Sequence, residues 1–148
     1  MGKVLVVYHS LGGNTKKMAE AVAQGAREVE GTAVTVKTGL EAGVNDLLDC
    51  DAVALGSPDY FGYIAGGLKD FLDRTYYPTQ GKVADRPAGI FASAGGPPDK
   101  VLGVLEQALQ WFKLRRVAEP VGSSGGVSAG ALSACRELGK QLAAAVGS

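Results

Sequence analysis

The stretch Ser10-Leu11-Gly12-Gly13-Asn14-Thr15 brings two hydroxyls, two adjacent glycines and the start of a helical pattern into six residues. Adjacent glycines let the backbone turn tightly so that its N–H groups converge. The amphipathic pattern that opens at Asn14 sets the positive end of a helix dipole at the same place, and Ser10 and Thr15 add hydroxyl donors at the two ends of the loop. This donor set suits a phosphate group that arrives without a metal ion. Competing phosphate motifs fail on inspection, since neither GxxxxGK[ST] nor GxGxxG occurs. A phosphoacceptor receiver domain of the same element order needs an acidic pair here, and a phosphatase needs a cysteine; the chain has Tyr8-His9-Ser10.

Two further loops hold aromatic or glycine residues that a ligand could meet. In 57–65, Pro58 and Asp59 precede Tyr60-Phe61-Gly62, two aromatics and a glycine that tolerates a positive φ. In 93–99, Ser93-Ala94-Gly95 allows close backbone approach, and Pro98 suits a helix entry.

The elements that must position these loops are legible as alternating patterns. Apolar β-branched runs at 4–8, 33–37, 52–56, 89–93 and 117–121 read as strands, most of them continuous, as strands covered on both faces are. Pro120 gives the last an edge position. Apolar stripes mark the intervening helices: Met18, Val22, Ala26 and Val29; Leu68, Phe71 and Leu72; Val101, Leu105, Ala108 and Phe112; Leu132, Cys135, Leu138 and Leu142. A shorter turn of helix around 45–48 links the second and third strands. The order predicts an α/β chain, one domain over 1–148, with a three-layer, doubly wound, five-stranded parallel sheet. In such sheets a ligand sits beyond the carboxyl ends of the strands where the strand order reverses. That singles out 8–15, 57–65 and 93–99.

With those loops in view, the chain resembles the flavodoxin-like superfamily, whose first loop has the form [ST]-x-T-G-x-T and holds the phosphate of FMN. Gly12 stands where that pattern has a threonine, removing a hydroxyl worth about 1 to 3 kcal/mol if it bonded a charged phosphate. The segment "GSPDYFGYIAGGLKDFLDRT", 56–75, is similar to GTPxxFGxxxGxLKxFLDRT of the NAD(P)H:quinone oxidoreductases of the tryptophan-repressor-binding-protein type. The resemblance implies FMN as cofactor, bound by Ser10, Leu11, Gly12, Gly13, Asn14, Thr15, Pro58, Asp59, Tyr60, Phe61, Gly62, Ser93, Ala94 and Gly95. It implies that Phe61 flanks the isoalloxazine, that the Gly62 peptide can flip to meet the flavin N5, and that backbone N–H groups of 93–95 contact the pyrimidine edge. No side chain is expected to act as a catalytic acid or base, because a flavin takes up hydride itself. His9 is therefore expected in a supporting hydrogen bond. Asp59 is expected either at the flavin edge or in solvent, and Lys16 and Lys17 in solvent. Tyr76 and Tyr77 are expected near the cofactor entrance, at a neighbouring subunit or over an apolar edge.

Two functions would use such a pocket. One is an oxidoreductase that takes hydride from NADH or NADPH and reduces a quinone or similar acceptor; the other is a carrier of single electrons between protein partners. Lysine plus arginine and aspartate plus glutamate both total 15. That neutral balance argues against nucleic acid and anionic membranes as partners, and it differs from the acidic character that steers carriers of this fold toward basic proteins. The quinone-reductase-like second loop points the same way, whereas the extra segment of the longer quinone reductases is missing. Relatives of that kind assemble as oligomers, so a homo-oligomer is possible. Cys50 and Cys135 lack metal or CxxC spacing, which excludes an iron–sulfur flavoprotein and predicts buried free thiols. With no cleavage-site pattern at the start and no run of apolar residues of membrane-spanning length, the chain is expected in the cytoplasm.

Overall fold

A computed structural model of the chain describes residues 2–146. Strands β1 (Gly2–Tyr8), β2 (Thr32–Thr38), β3 (Ala52–Pro58) and β4 (Pro87–Ala94) alternate with helices α1 (Asn14–Arg27), α2 (Val44–Asp49), α3 (Gly66–Thr79) and α4 (Asp99–Trp111). Two short strands, β5 (Arg115–Arg116) and β6 (Val121–Ser124), precede α5 (Ala129–Ala145). All pair in parallel, in the order β2-β1-β3-β4-β5, with β6 also on β4. The order reverses between β1 and β3, which are neighbours with register Val4↔Ala52 to Tyr8↔Gly56.

The continuous apolar runs are explained by two cores. Successive side chains of a strand point to opposite faces, so a strand covered on both sides needs apolar residues throughout. Leu5, Val7, Val53 and Leu55 join Leu68, Phe71, Val101 and Leu105 on one face, under α3 and α4. Val4, Val6, Ala52 and Ala54 join Met18, Val22, Leu138 and Leu142 on the other, under α1 and α5.

The fifth strand differs from expectation. The run at 117–121 is not one strand: β5 and β6 flank it, and only Val121 belongs to a ladder. The register shows why. Ala88 faces Arg116 and Phe91 faces Val121, so five steps of one chain oppose three of the other and the intervening residues are looped out of the ladder. Pro120 sits in that loop and has no N–H to donate, while Val117 N–H still reaches Ala88 O at 3.0 Å. β5 and β6 nevertheless hold the edge beside β4, the place Pro120 suggested.

Helices α1 and α5 cross so closely that each needs a glycine. A Cβ built on Gly139 would lie 1.9 Å from Val22 O, and one on Gly25 would lie 1.8 Å from Arg136 O. Alanine ordinarily favours a helix over glycine by about 1 kcal/mol, but here the clash is with backbone and overrides it. Gly139→Ala is expected to destabilise the protein by about 2 to 3 kcal/mol, read as a lower midpoint in denaturant unfolding.

Both cysteines are free and buried, one in each core. Burial pushes the Cys50 thiol up to about 11 and the Cys135 thiol up to about 12, because a thiolate there would lose its hydration. The folded chain thus keeps protons that the unfolded chain releases from about pH 9 upward, so stability must fall as pH rises through that range. Thiol titration of the native protein at pH 8 should find both residues unreactive until denaturant is added, whereas fast native labelling would contradict the burial of these groups.

Candidate functional site

The carboxyl ends of β1, β3 and β4 open onto a cleft of about 340 Å³. It is lined by Ser10, Leu11, Gly12, Asn14 and Thr15 after β1, by Pro58, Asp59 and Tyr60 after β3, by Ser93, Ala94 and Gly95 after β4, and by Gly125 and Gly126 after β6. Gly56 O accepts from His9 N–H at 3.2 Å and Ser93 O from Asp59 N–H at 2.8 Å, so the first three loops are knitted to one another.

The first loop is held by its own polar groups. Gly13 N–H donates to Ser10 Oγ at 3.0 Å, which leaves the serine proton free to donate outward. Gly13 has φ of 100°, the left-handed conformation that glycine adopts without steric cost, and no side chain caps the start of α1. The amides of the first helical turn therefore have no side-chain acceptor, a situation that favours an anion. Thr15 is buried, and its Oγ1 lies 2.8 Å from Ser93 Oγ across the cleft floor. Lys16 and Lys17 are exposed, as expected, and do not line the cleft.

The second loop makes a tight hairpin. Tyr60 and Tyr63 exchange N–H···O bonds of 3.0 and 3.1 Å around Phe61 and Gly62, which have φ of 59° and 74°. Two left-handed residues in succession are what a two-residue hairpin turn of the right twist requires, but phenylalanine is an unfavourable occupant of the first position. Its side chain is fully exposed at the tip. Backbone strain of this kind clusters at ligand clamps and active sites. Asp59 Oδ1 closes the turn by accepting from Gly62 N–H at 2.7 Å. The base of the hairpin is fixed by Ser57, whose Oγ accepts from Ala65 N–H at 2.9 Å.

Of the fourteen residues expected to bind the cofactor, the fold gathers all but three along the cleft. Gly13 forms the turn behind the lining, while Phe61 and Gly62 project at the hairpin tip. Gly125 and Gly126 were missed. They have φ of 70° and 124°, Gly125 N–H donates to Ala94 O at 2.8 Å, and Ser123 Oγ donates to Gly126 O. The paired glycine ahead of the capping Ser128 is the sequence signal for this loop, which follows β6 and so lies beyond the strand expected at 117–121. His9 makes no side-chain hydrogen bond among the described residues. Its ring lies edge-on to Tyr60 and against Gly67, where an added Cβ would come within 2.3 Å of Nδ1.

The segment 66–79 contributes packing rather than ligand contacts. Leu68, Phe71, Leu72 and Thr75 are buried, and Arg74 donates to Asp70 Oδ2, Ala42 O and Gly39 O at 2.7, 3.0 and 2.7 Å. That clamp fixes the turn after β2, whose Gly39 N–H reaches Tyr8 O at 2.8 Å beneath the first loop. Tyr76 packs edge-on to Tyr77 and Phe112 in a separate groove of about 460 Å³, which shares no lining residue with the cleft. Among the described residues no helix is long and apolar enough to cross a membrane, and no group of three or more metal-ligating side chains converges.

A phosphate-bearing ring compound fits this donor set. An uncapped helix start and two hydroxyls lie at one end of the cleft, and an aromatic ring, peptide groups and small residues line the rest. Over residues 2–131 the chain matches the family described as NADPH-dependent FMN reductase. A flavodoxin of Aquifex aeolicus is 36% identical over 97% of this chain and 86% of its own. An NAD(P)H dehydrogenase (quinone) of Acidithiobacillus ferrooxidans is 34% identical over 63% of this chain, an alignment that spans only 57% of that relative. Among solved structures, a flavodoxin from the domain Archaea superposes with a TM-score of 0.85 at 25% identity, covering 97% of this chain and 98% of its own. Gly13→Val, which forces a β-branched residue into the left-handed region, is expected to weaken FMN binding by about tenfold to a hundredfold in a fluorescence titration of the apoprotein. Unchanged affinity would remove the first loop from the site.

Proposed function

Because the chain belongs to the NADPH-dependent FMN reductase family, we propose that it is an oxidoreductase that takes hydride from NADH or NADPH and delivers electrons to a quinone or similar small acceptor. Its cofactor is FMN. When bound, FMN supplies a ring system that takes up hydride and releases electrons, so the protein needs no acid or base of its own for that step.

The chain's residues have three tasks. Ser10, Thr15 and the open amides of α1 hold the phosphate with neutral donors and a helix dipole, since among the described residues no lysine or arginine lines the cleft. Tyr60, with Phe61 beside it at the tip of the same hairpin, provides aromatic cover from one loop only, and the peptides of 93–95 and Gly62 serve the polar ring edge. The third task is to leave room, and it carries the proposal. Among the described residues Tyr60 is the only aromatic that lines the cleft; the loops after β4 and β6 contribute Ala94, Gly95, Gly125 and Gly126. Hydride transfer requires the donor carbon at contact distance from the ring face, about 3 to 3.5 Å. Single-electron transfer tolerates aromatic cover on both faces. A cleft with one aromatic lining residue and small residues elsewhere suits the first demand. The neutral net charge supports the same reading, since it offers no long-range steering toward a charged protein partner.

The second reading, a single-electron carrier, is favoured by the flavodoxin relative, which matches over nearly the whole chain. An anaerobic visible spectrum of the FMN-loaded protein separates the two. Bleaching by NADPH or NADH, reversed by a quinone, is the result expected of a reductase; a spectrum unmoved by either nucleotide, with reduction by dithionite intact, would support the carrier. Gly95 has open space where a side chain would begin. Gly95→Trp is therefore expected to slow nucleotide-driven bleaching by about a hundredfold while dithionite reduction proceeds as before.

A further inference from the structure

We propose that the Ser93 side chain, as distinct from its peptide, is a positioning group for phosphate recognition: its hydroxyl aligns the Thr15 hydroxyl from the neighbouring loop rather than serving the ring. The inference rests on the assignment of 10–15 as the phosphate loop.

Thr15 and Ser93 are 78 positions apart in sequence, yet their hydroxyl oxygens are 2.8 Å apart and both residues are buried. Among the described residues neither hydroxyl makes another hydrogen bond. Two hydroxyls carry two protons and this contact uses one, so one proton is left over, and either oxygen can be the donor. An anion at the start of α1 breaks that symmetry. Thr15 belongs to the first, uncapped turn of the helix, so the favourable arrangement turns the Thr15 proton toward the anion and satisfies Thr15 Oγ1 with the proton of Ser93. The two bonds polarise one another, which strengthens a donor aimed at a charged group in a buried setting.

Two other observations agree. The backbone carbonyl of Ser93 is already engaged by Asp59 N–H at 2.8 Å, so that group is committed to joining the second and third loops. Gly12 leaves the first loop one hydroxyl short of the pattern it resembles, and Ser93, from β4, adds a hydroxyl 2.8 Å from that of Thr15.

The test compares FMN with riboflavin, which carries the same ring without the phosphate, by fluorescence titration of the apoprotein. For Ser93→Ala the preference for FMN over riboflavin is expected to fall about tenfold, with riboflavin affinity changed less than about twofold. Thr15→Ala should lose at least as much, and the double variant no more than Thr15→Ala alone, because Ser93 acts through Thr15. Ser93→Thr keeps a hydroxyl and should keep the preference. If Ser93→Ala leaves the preference intact while Thr15→Ala lowers it, the positioning role is wrong and the phosphate loop stands. If neither variant changes it, the loop assignment itself fails. Equal weakening of FMN and riboflavin by Ser93→Ala would return Ser93 to the ring end and overturn the proposal.

Discussion

The start of α1 has more hydrogen-bond donors than the protein supplies acceptors for, and the cofactor end of the molecule is arranged around that imbalance. A helix whose first amides face a cleft with no side-chain cap holds a local positive potential in reserve for a ligand. It can do so only because the turn into it is made by Gly13 in a left-handed conformation, and because Ser10 ties that turn from the far side. Everything behind it keeps α1 in place. Glycine-mediated contact with α5 locks its outer flank, and Met18 and Val22 lock its inner face onto the sheet.

The sheet order then does the rest of the positioning. With β1 beside β3 and β3 beside β4, loops distant in sequence are brought to one rim, and short backbone bonds such as Asp59 N–H to Ser93 O fix their spacing. Arg74 extends this support to the turn after β2. The resemblance at 56–75 is therefore of two kinds: the hairpin 60–63 borders the cleft, while the helical part secures the surroundings.

How much of this could be read from residues alone follows from what each element is buried against. The buried stretches of β1, β3 and β4 are covered on both faces, so they run apolar up to Ser57 and Ser93 at the site end and their positions are plain. The edge is different. Val117 and Val121 flank Pro120 in a pattern that mimics a strand, but an edge ladder tolerates looped-out residues, and the register slips there by two. The loop with Gly125 and Gly126 is obscured for the same reason, since it follows β6 and not the run at 117–121. Nor does sequence reveal that Phe61 stands in solvent in a left-handed conformation, because the hairpin that forces it there depends on the Tyr60 and Tyr63 pairing. The Thr15 and Ser93 contact likewise joins loops whose proximity only the sheet order establishes.

The two cores share no residue with the lining of the cleft. Neither core needs the flavin to be complete, so FMN is a ligand of a finished fold rather than a scaffold for its assembly. Its contribution to stability is then one of mass action: about 2.7 kcal/mol when free FMN stands at a hundred times its dissociation constant, and nothing when FMN is scarce. The fraction in service, and its resistance to proteolysis, rise and fall with the cell's flavin supply.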